Sequence, residues 1–373
     1  MAEKKIVWLD TVRVLASLLV IVSHYVECFS HFENFPVMIL FFRHIGTPAV
    51  SLFFAVSGYL VNRSLARSSG LWNFYKWRMI RIVIPFVMAY IVLGSALMIL
   101  GLTEPSLAAT APFSSAIYKS GFPKEILLSM IPHDINLAVF LGLGINIFTG
   151  EWFIGTVIWL YMIAPFLNKM IRRAPLLTFA TSILISIGTF YAMQNLMLEG
   201  RIVNNGWIFL VRIPEFLLGM ILAVYKDFFE VNRKKILCAA GAWTAIIGTI
   251  FFFQYSENFS LCMRLYPNEP RSLLISLTTI YLFFLLAEYL NEKFPSILAR
   301  FNVFANVSYM SMLIQHVIIY IVAGRLDLIN LKTFGLIYIF FLVTLMIIYT
   351  SRFVKIFSDP LENYFLKRKQ TVI

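Results

Sequence analysis

Charge is scarce in this sequence. Only 13% of its 373 residues are Asp, Glu, Lys or Arg, where a soluble domain carries about 25%. That shortage excludes an ordinary water-soluble globule. Cysteine is scarce as well: Cys28, Cys238 and Cys262 form neither a disulfide framework nor a metal-binding spacing. The five histidines, His24, His31, His44, His133 and His316, fall into no HExxH-like pattern, so no metal is expected. There is no small-residue cleavage site after the first apolar stretch, hence no expectation of a cleaved signal peptide. No polar linker leads to a second domain, and no internal repeat is visible.

What the chain has instead is long uncharged runs. Ile82–Thr103 has 22 residues without Asp, Glu, Lys or Arg, Ala174–Leu198 has 25, Ile236–Ser256 has 21, Phe301–Gly324 has 24 and Thr333–Ser351 has 19. A helix crosses the hydrocarbon core with about 20 apolar residues. The runs are continuous rather than alternating, which excludes a membrane β-barrel. The reading is an all-α integral membrane protein with about ten spans, near 7–28, 42–62, 79–101, 151–170, 175–195, 207–225, 236–255, 272–290, 302–323 and 333–354. Alternating these from a cytoplasmic N-terminus puts 21 of the 31 basic residues inside and nine outside, with Arg13 within the first span. That bias places both termini in the cytoplasm. The net charge of +12 is therefore a topology signal, and no nucleic-acid partner is expected. Residues 102–150 form a long extracytoplasmic connection. Its apolar part, 134–149, is short and broken by glycine, which suits a re-entrant or surface-lying piece.

Several polar groups stand inside the apolar runs, where charge is expensive and tends to be functional. Arg13 and His24 are eleven residues apart in the first span. At about 100° per residue they share one helix face, with about 16 Å of rise between them. Glu27 lies close to that face and is placed to hold the His24 imidazole, while Asp10 is placed to cap the helix or pair with Arg13. Two readings stand for this set: a snorkelling arginine with a structural histidine, or a reaction site. In the second span, Ser57 and Gly58 allow a backbone or a ligand to approach closely. Arg63, Arg67, Lys76, Arg78 and Arg81 crowd the next loop. They are either a topology signal or a clamp for a polyanion such as a phosphate chain. Further candidates are Tyr161, Tyr309, His316 and the pair Arg212 and Glu215, which either neutralise each other or take part in a site.

Taken together, these stretches resemble the acyltransferase-3 family of bacterial membrane proteins. The resemblance is carried by Leu9-Asp10 before Arg13, by Arg13 and His24 with ten residues between them, by "FFAVSGYLV" and by "RMIRIVIP". "WFIGTVIWLYMIAPFL", "PEFLLGMILA" and "SYMSMLIQH" are similar to weaker downstream signatures. The resemblance covers nearly the whole chain and implies a single ten-helix domain over 1–373. It implies transfer of an acyl group, usually acetyl, from cytoplasmic acyl-CoA to a hydroxyl of a surface polysaccharide or its lipid-linked precursor. The membrane would be the cytoplasmic (inner) one. By resemblance His24 is catalytic, Arg13 lies on the donor path, and Arg78 and Arg81 serve the CoA end. No extracytoplasmic hydrolase-like domain accompanies the helices, which implies a stand-alone enzyme. A different-class reading is a transporter or flippase for a small polar substrate, with Arg13, His24, Arg212 and Glu215 as a relay, but no paired broken helices support it.

The charge bias makes a direct prediction. Single cysteines placed in 63–78 or 226–235 should escape an impermeant thiol reagent in intact cells, and one at 102–150 should react. Labelling of 63–78 in intact cells would overturn the orientation.

Overall fold

The computed structural model describes residues 7–29, 42, 45–103, 136, 149–198, 205–236, 238–243, 245, 270–325 and 332–367. The described residues are almost wholly helical, with no strand among them. The helices are α1 (Val7–Phe29), α2 (Gly46–Arg67), α3 (Leu71–Thr103), α4 (Glu151–Arg173), α5 (Pro175–Leu198), α6 (Phe209–Val224), α7 (Lys226–Val231), α8 (Pro270–Lys293), α9 (Pro295–Phe301), α10 (Ala305–Arg325) and α11 (Thr333–Lys367). Among the described residues, eight helical stretches are long and apolar enough to cross a membrane. The expected span 207–225 is α6, with 16 residues. The expected span 236–255 and the connection 102–150 lie largely outside the described residues. At about 1.5 Å per residue, the 35 residues of α11 outrun a hydrocarbon core of about 30 Å, so α11 continues beyond it.

Serine and threonine inside these helices cannot reach water, so they bond back to the preceding turn. Ser51 donates to the Thr47 carbonyl at 2.9 Å, Thr344 to Phe340 at 2.8 Å and Ser351 to Ile347 at 2.7 Å. Prolines sit within α3, α4, α6 and α11 at Pro85, Pro165, Pro214 and Pro360.

The chain divides into two compact units, each built from separated stretches: Met1–Ala16, Thr47–Leu71 and Trp159–Ala305 in the first, and Ser17–Gly46, Trp72–Ile158 and Asn306–Ile373 in the second. In the first unit, α2 and α6 meet backbone to backbone. A Cβ on Gly58 would collide with the Phe216 carbonyl oxygen and lie 3.2 Å from the Met220 nitrogen. One on Gly219 would collide with the Ala55 carbonyl oxygen and lie 2.7 Å from its carbon. Without a hydrophobic drive between helices in lipid, such small-residue contacts are what hold helices together. Ser51 meets Glu215 and Ala55 meets Gly219, so α2 and α6 run the same way. The contacts of Tyr161 with Phe216 and of Ile171 with Tyr225 give α4 that direction too. This parity is what alternation requires if 102–150 makes no net crossing. The first turn of α1 and the far ends of α2, α6 and α8 close around one pocket, lined by Trp8, Tyr59, Leu222 and Glu288.

In the second unit, Ser17 of α1 donates to the Ser308 carbonyl of α10 at 3.4 Å, and His24 meets His316 further along both helices. The two helices are therefore parallel. The Tyr25 hydroxyl, near the end of α1, donates to the Leu336 carbonyl near the start of α11 at 2.6 Å, and Ser311 and Ser351 hydroxyls lie 3.0 Å apart. Thus α11 runs against both, as a first, ninth and tenth span should.

The close approach of α2 and α6 is testable. Gly58→Ala and Gly219→Ala should each destabilise the protein by about 1–3 kcal/mol or more, as overpacking does. Gly94→Ala, where nothing lies within 4 Å of a new Cβ, should be neutral or slightly stabilising. Melting temperatures in detergent compare the three.

Candidate functional site

His24 stands in the last third of α1, which is continuous from Val7 to Phe29 and so preserves the spacing expected from Arg13. Helical geometry places Glu27 one turn on, and its Oε2 lies 3.4 Å from His24 Nδ1. Nδ1 is buried and makes no hydrogen bond. With Nδ1 turned to Glu27, Nε2 is the nitrogen left for chemistry. The third group is His316 of α10, whose ring centroid lies 4.8 Å from that of His24 with the planes tilted by 56°. Tyr320, one turn further along α10, packs edge-on against His316 at 4.3 Å. The tertiary fold therefore joins His24, Glu27 and His316, two of which the sequence could pair and one of which it could only name.

The other candidates separate by what they touch. In the first unit, Arg13 Nη1 lies 3.3 Å from Asp10 Oδ1, and buried Asp10 serves as its counter-ion. The Thr11 hydroxyl donates to Asn302 Oδ1 at 3.1 Å, and Asn302 Nδ2 donates to the Val7 carbonyl at 3.0 Å, fixing the first turn of α1. Gly58 faces the α6 backbone, so the close neighbour expected there is a helix. Tyr161 is buried with its ring 6.2 Å from that of Phe216. Arg63 is half-buried and Arg67 exposed at the end of α2. In the second unit, Arg78 is half-buried and Arg81 exposed at the start of α3, and the Arg81 guanidinium lies 5.6 Å over the Trp77 ring. Tyr309 donates its hydroxyl to the Ile82 carbonyl at 3.1 Å, tying α10 to α3.

Arg212 and Glu215 are both buried and form an ion pair at 2.9 Å. Arg212 Nε also donates to the Gly206 carbonyl at 2.6 Å, and its guanidinium lies 5.7 Å over the Phe54 ring. The Ser51 hydroxyl donates to the same Glu215 oxygen at 2.6 Å. These groups hold one another across α2 and α6 through Glu215 Oε1, while Glu215 Oε2 is buried without a hydrogen-bond partner among the described residues. Ser51 escaped the sequence reading. The signal was present: Ser51, Ala55 and Gly58 form a small-residue stripe at helical spacing, facing Glu215 and Gly219.

Among the described residues, no group of three or more His, Cys, Asp or Glu is placed to hold a metal ion. Cys28, which is buried, and Cys238, which is exposed, form no disulfide among the described residues. The pocket at the end of the first unit has an aromatic floor, where Trp8 meets Tyr59 at 5.4 Å and Phe284 at 5.2 Å. Lys226 and Arg233 stand among its lining. Lys226 is held by Glu230 at 3.0 Å, and that hydrogen bond pushes its pKa above the ordinary lysine value.

The acyltransferase-3 family model, an acyltransferase domain, matches residues 6–351. The chain belongs to the acyltransferase-3 family. It is thus a multi-pass membrane acyltransferase. No curated protein and no solved structure matches it. In this acyltransferase-3 protein the His24 ring lies between Glu27 and His316.

The buried pair gives a second prediction. Arg212→Ala leaves the Glu215 carboxylate buried without its cation and should cost about 3–5 kcal/mol. Replacing both, Arg212→Met with Glu215→Leu, should recover much of that loss. Melting temperature and acyl transfer measured side by side would reveal a stable but inactive double variant if the pair also served chemistry.

Proposed function

We propose that this protein moves an acyl group, acetyl in the first instance, from cytoplasmic acyl-CoA to a hydroxyl of a surface polysaccharide or its lipid-linked precursor, in the cytoplasmic membrane. Family membership supports acyl transfer. The observation that carries the site is the His24 Nδ1 facing Glu27 Oε2 at 3.4 Å with Nε2 left to act. Glu27 would hold the tautomer and stabilise the imidazolium that forms as His24 takes the acceptor proton. Both termini would lie in the cytoplasm, as the basic bias supports, so that Arg78 and Arg81 at the start of α3 meet the phosphates of CoA. Arg63 and Arg67 at the end of α2 would raise the local concentration of that polyanion. Arg13, neutralised by Asp10, would line the donor path.

His24→Ala and His24→Gln should both remain folded and bind acetyl-CoA, while turnover falls by about 10²–10⁴. Arg81→Ala should weaken acetyl-CoA affinity by roughly ten- to a hundredfold, the worth of a lost charged hydrogen bond. The measurements are release of free CoA thiol from acetyl-CoA with an envelope glycan extract as acceptor, acetyl-CoA binding and melting temperature. A folded His24→Gln protein with near-normal turnover would falsify the assignment.

A further inference from the structure

We propose that His316 is a second catalytic residue of this site, donating a ring N–H to the acyl carbonyl oxygen as negative charge develops there. The inference rests on the acyl-transfer reading above. Its basis is the tertiary contact between α1 and α10, which sets the two imidazoles 4.8 Å apart. With the rings so close, a carbonyl attacked by the hydroxyl at His24 Nε2 would have its oxygen within reach of the neighbouring ring. Donors of this kind must be aimed where charge appears.

Two observations bear on His316 within its own helix, where Gln315 Oε1 is also buried without a hydrogen-bond partner among the described residues. The hydroxyls of Tyr309 and Ser311 are spent on the Ile82 carbonyl and on Ser351. His316 makes ring contacts with His24 and Tyr320 but no side-chain hydrogen bond among the described residues. The residue is only half-buried, so a substrate oxygen can reach a donor that no described residue engages. Tyr320 packs against the same ring at 82° and restricts its plane.

The step balances as follows. The acceptor oxygen forms its bond to the acyl carbon, and its proton passes to His24 Nε2. The carbonyl π pair moves to oxygen, where the His316 N–H donates to it. As the carbonyl re-forms, the C–S bond breaks and the CoA thiolate takes the proton from His24. Once His24 carries the proton, a second charge on the touching ring is repelled, so His316 serves as a neutral imidazole, a form able to polarise a carbonyl.

The test opposes two variants. His316→Phe keeps a flat ring against His24 and Tyr320 but has no donor; His316→Gln loses the ring but keeps an N–H. Turnover with acetyl-CoA and envelope glycan extract, acetyl-CoA affinity and melting temperature are measured for both. The Phe variant should lose about 10²–10³ in turnover at unchanged acetyl-CoA affinity and melting temperature, and the Gln variant should stay within about tenfold of the wild type. His316→Leu is the donor-free replacement should the phenyl ring disturb the fold. Near-normal turnover in a donor-free variant, or a Gln variant as slow as the donor-free one, overturns the proposal and makes His316 a packing residue. His24→Ala, run beside them, keeps the two readings distinct. If it turns over normally, the His24 assignment itself has failed; if it is dead while His316→Phe is active, only the role of His316 has.

Discussion

The contact on which the first unit depends is the backbone meeting of α2 and α6 at Gly58 and Gly219. Lipid offers helices no hydrophobic reward for associating with one another, so they must gain from close van der Waals contact and from polar groups hidden between them. Both devices are used at one crossing. The two glycines bring each helix against a carbonyl of the other, and one turn away Ser51, Glu215 and Arg212 form a buried polar cluster. The glycines fix the distance and the cluster fixes the register, because only one sliding position lets Ser51 reach the carboxylate. The aromatic contacts of Trp8 with Tyr59 and Phe284 then join α1 and α8 to the end of α2.

Polar groups in this protein fall into two kinds, and the distinction bears on function. Most are spent internally. Several hydroxyls return to their own helix, Tyr25 and Tyr309 each bind a backbone carbonyl of another helix, and Arg212 donates to Glu215 and Gly206. In a medium without water this is the cheapest state. Others keep a buried polar atom without a hydrogen-bond partner among the described residues, Glu215 Oε2, Tyr281 Oη, Gln315 Oε1 and His24 Nδ1 among them, and the His24 ring also stands against that of His316.

Much of this was legible in the residues. The uncharged runs foretold α3, α5, α10 and α11, and the predominantly apolar spans between charged loops foretold α1, α2, α4, α6 and α8, because a helix crossing lipid needs an apolar stretch of that length. The pairs Arg13 with Asp10, His24 with Glu27 and Arg212 with Glu215 were legible because each is three residues apart, a separation that helical pitch turns into a contact. Gly58 was legible as a place of close approach but not as to what approaches, since a small residue admits a ligand or a helix equally.

The sequence by itself determined the class, the spans, the family motifs and these local pairs, since all depend on a single helix and on hydropathy. Only the tertiary structure decided that His316 lies against His24, that Ser51 completes the Arg212 and Glu215 pair, and that α6 fills the space at Gly58. Those neighbours are far apart in the chain and belong to different helices. Which faces meet is set by packing and register between helices, and no periodicity within one helix records it.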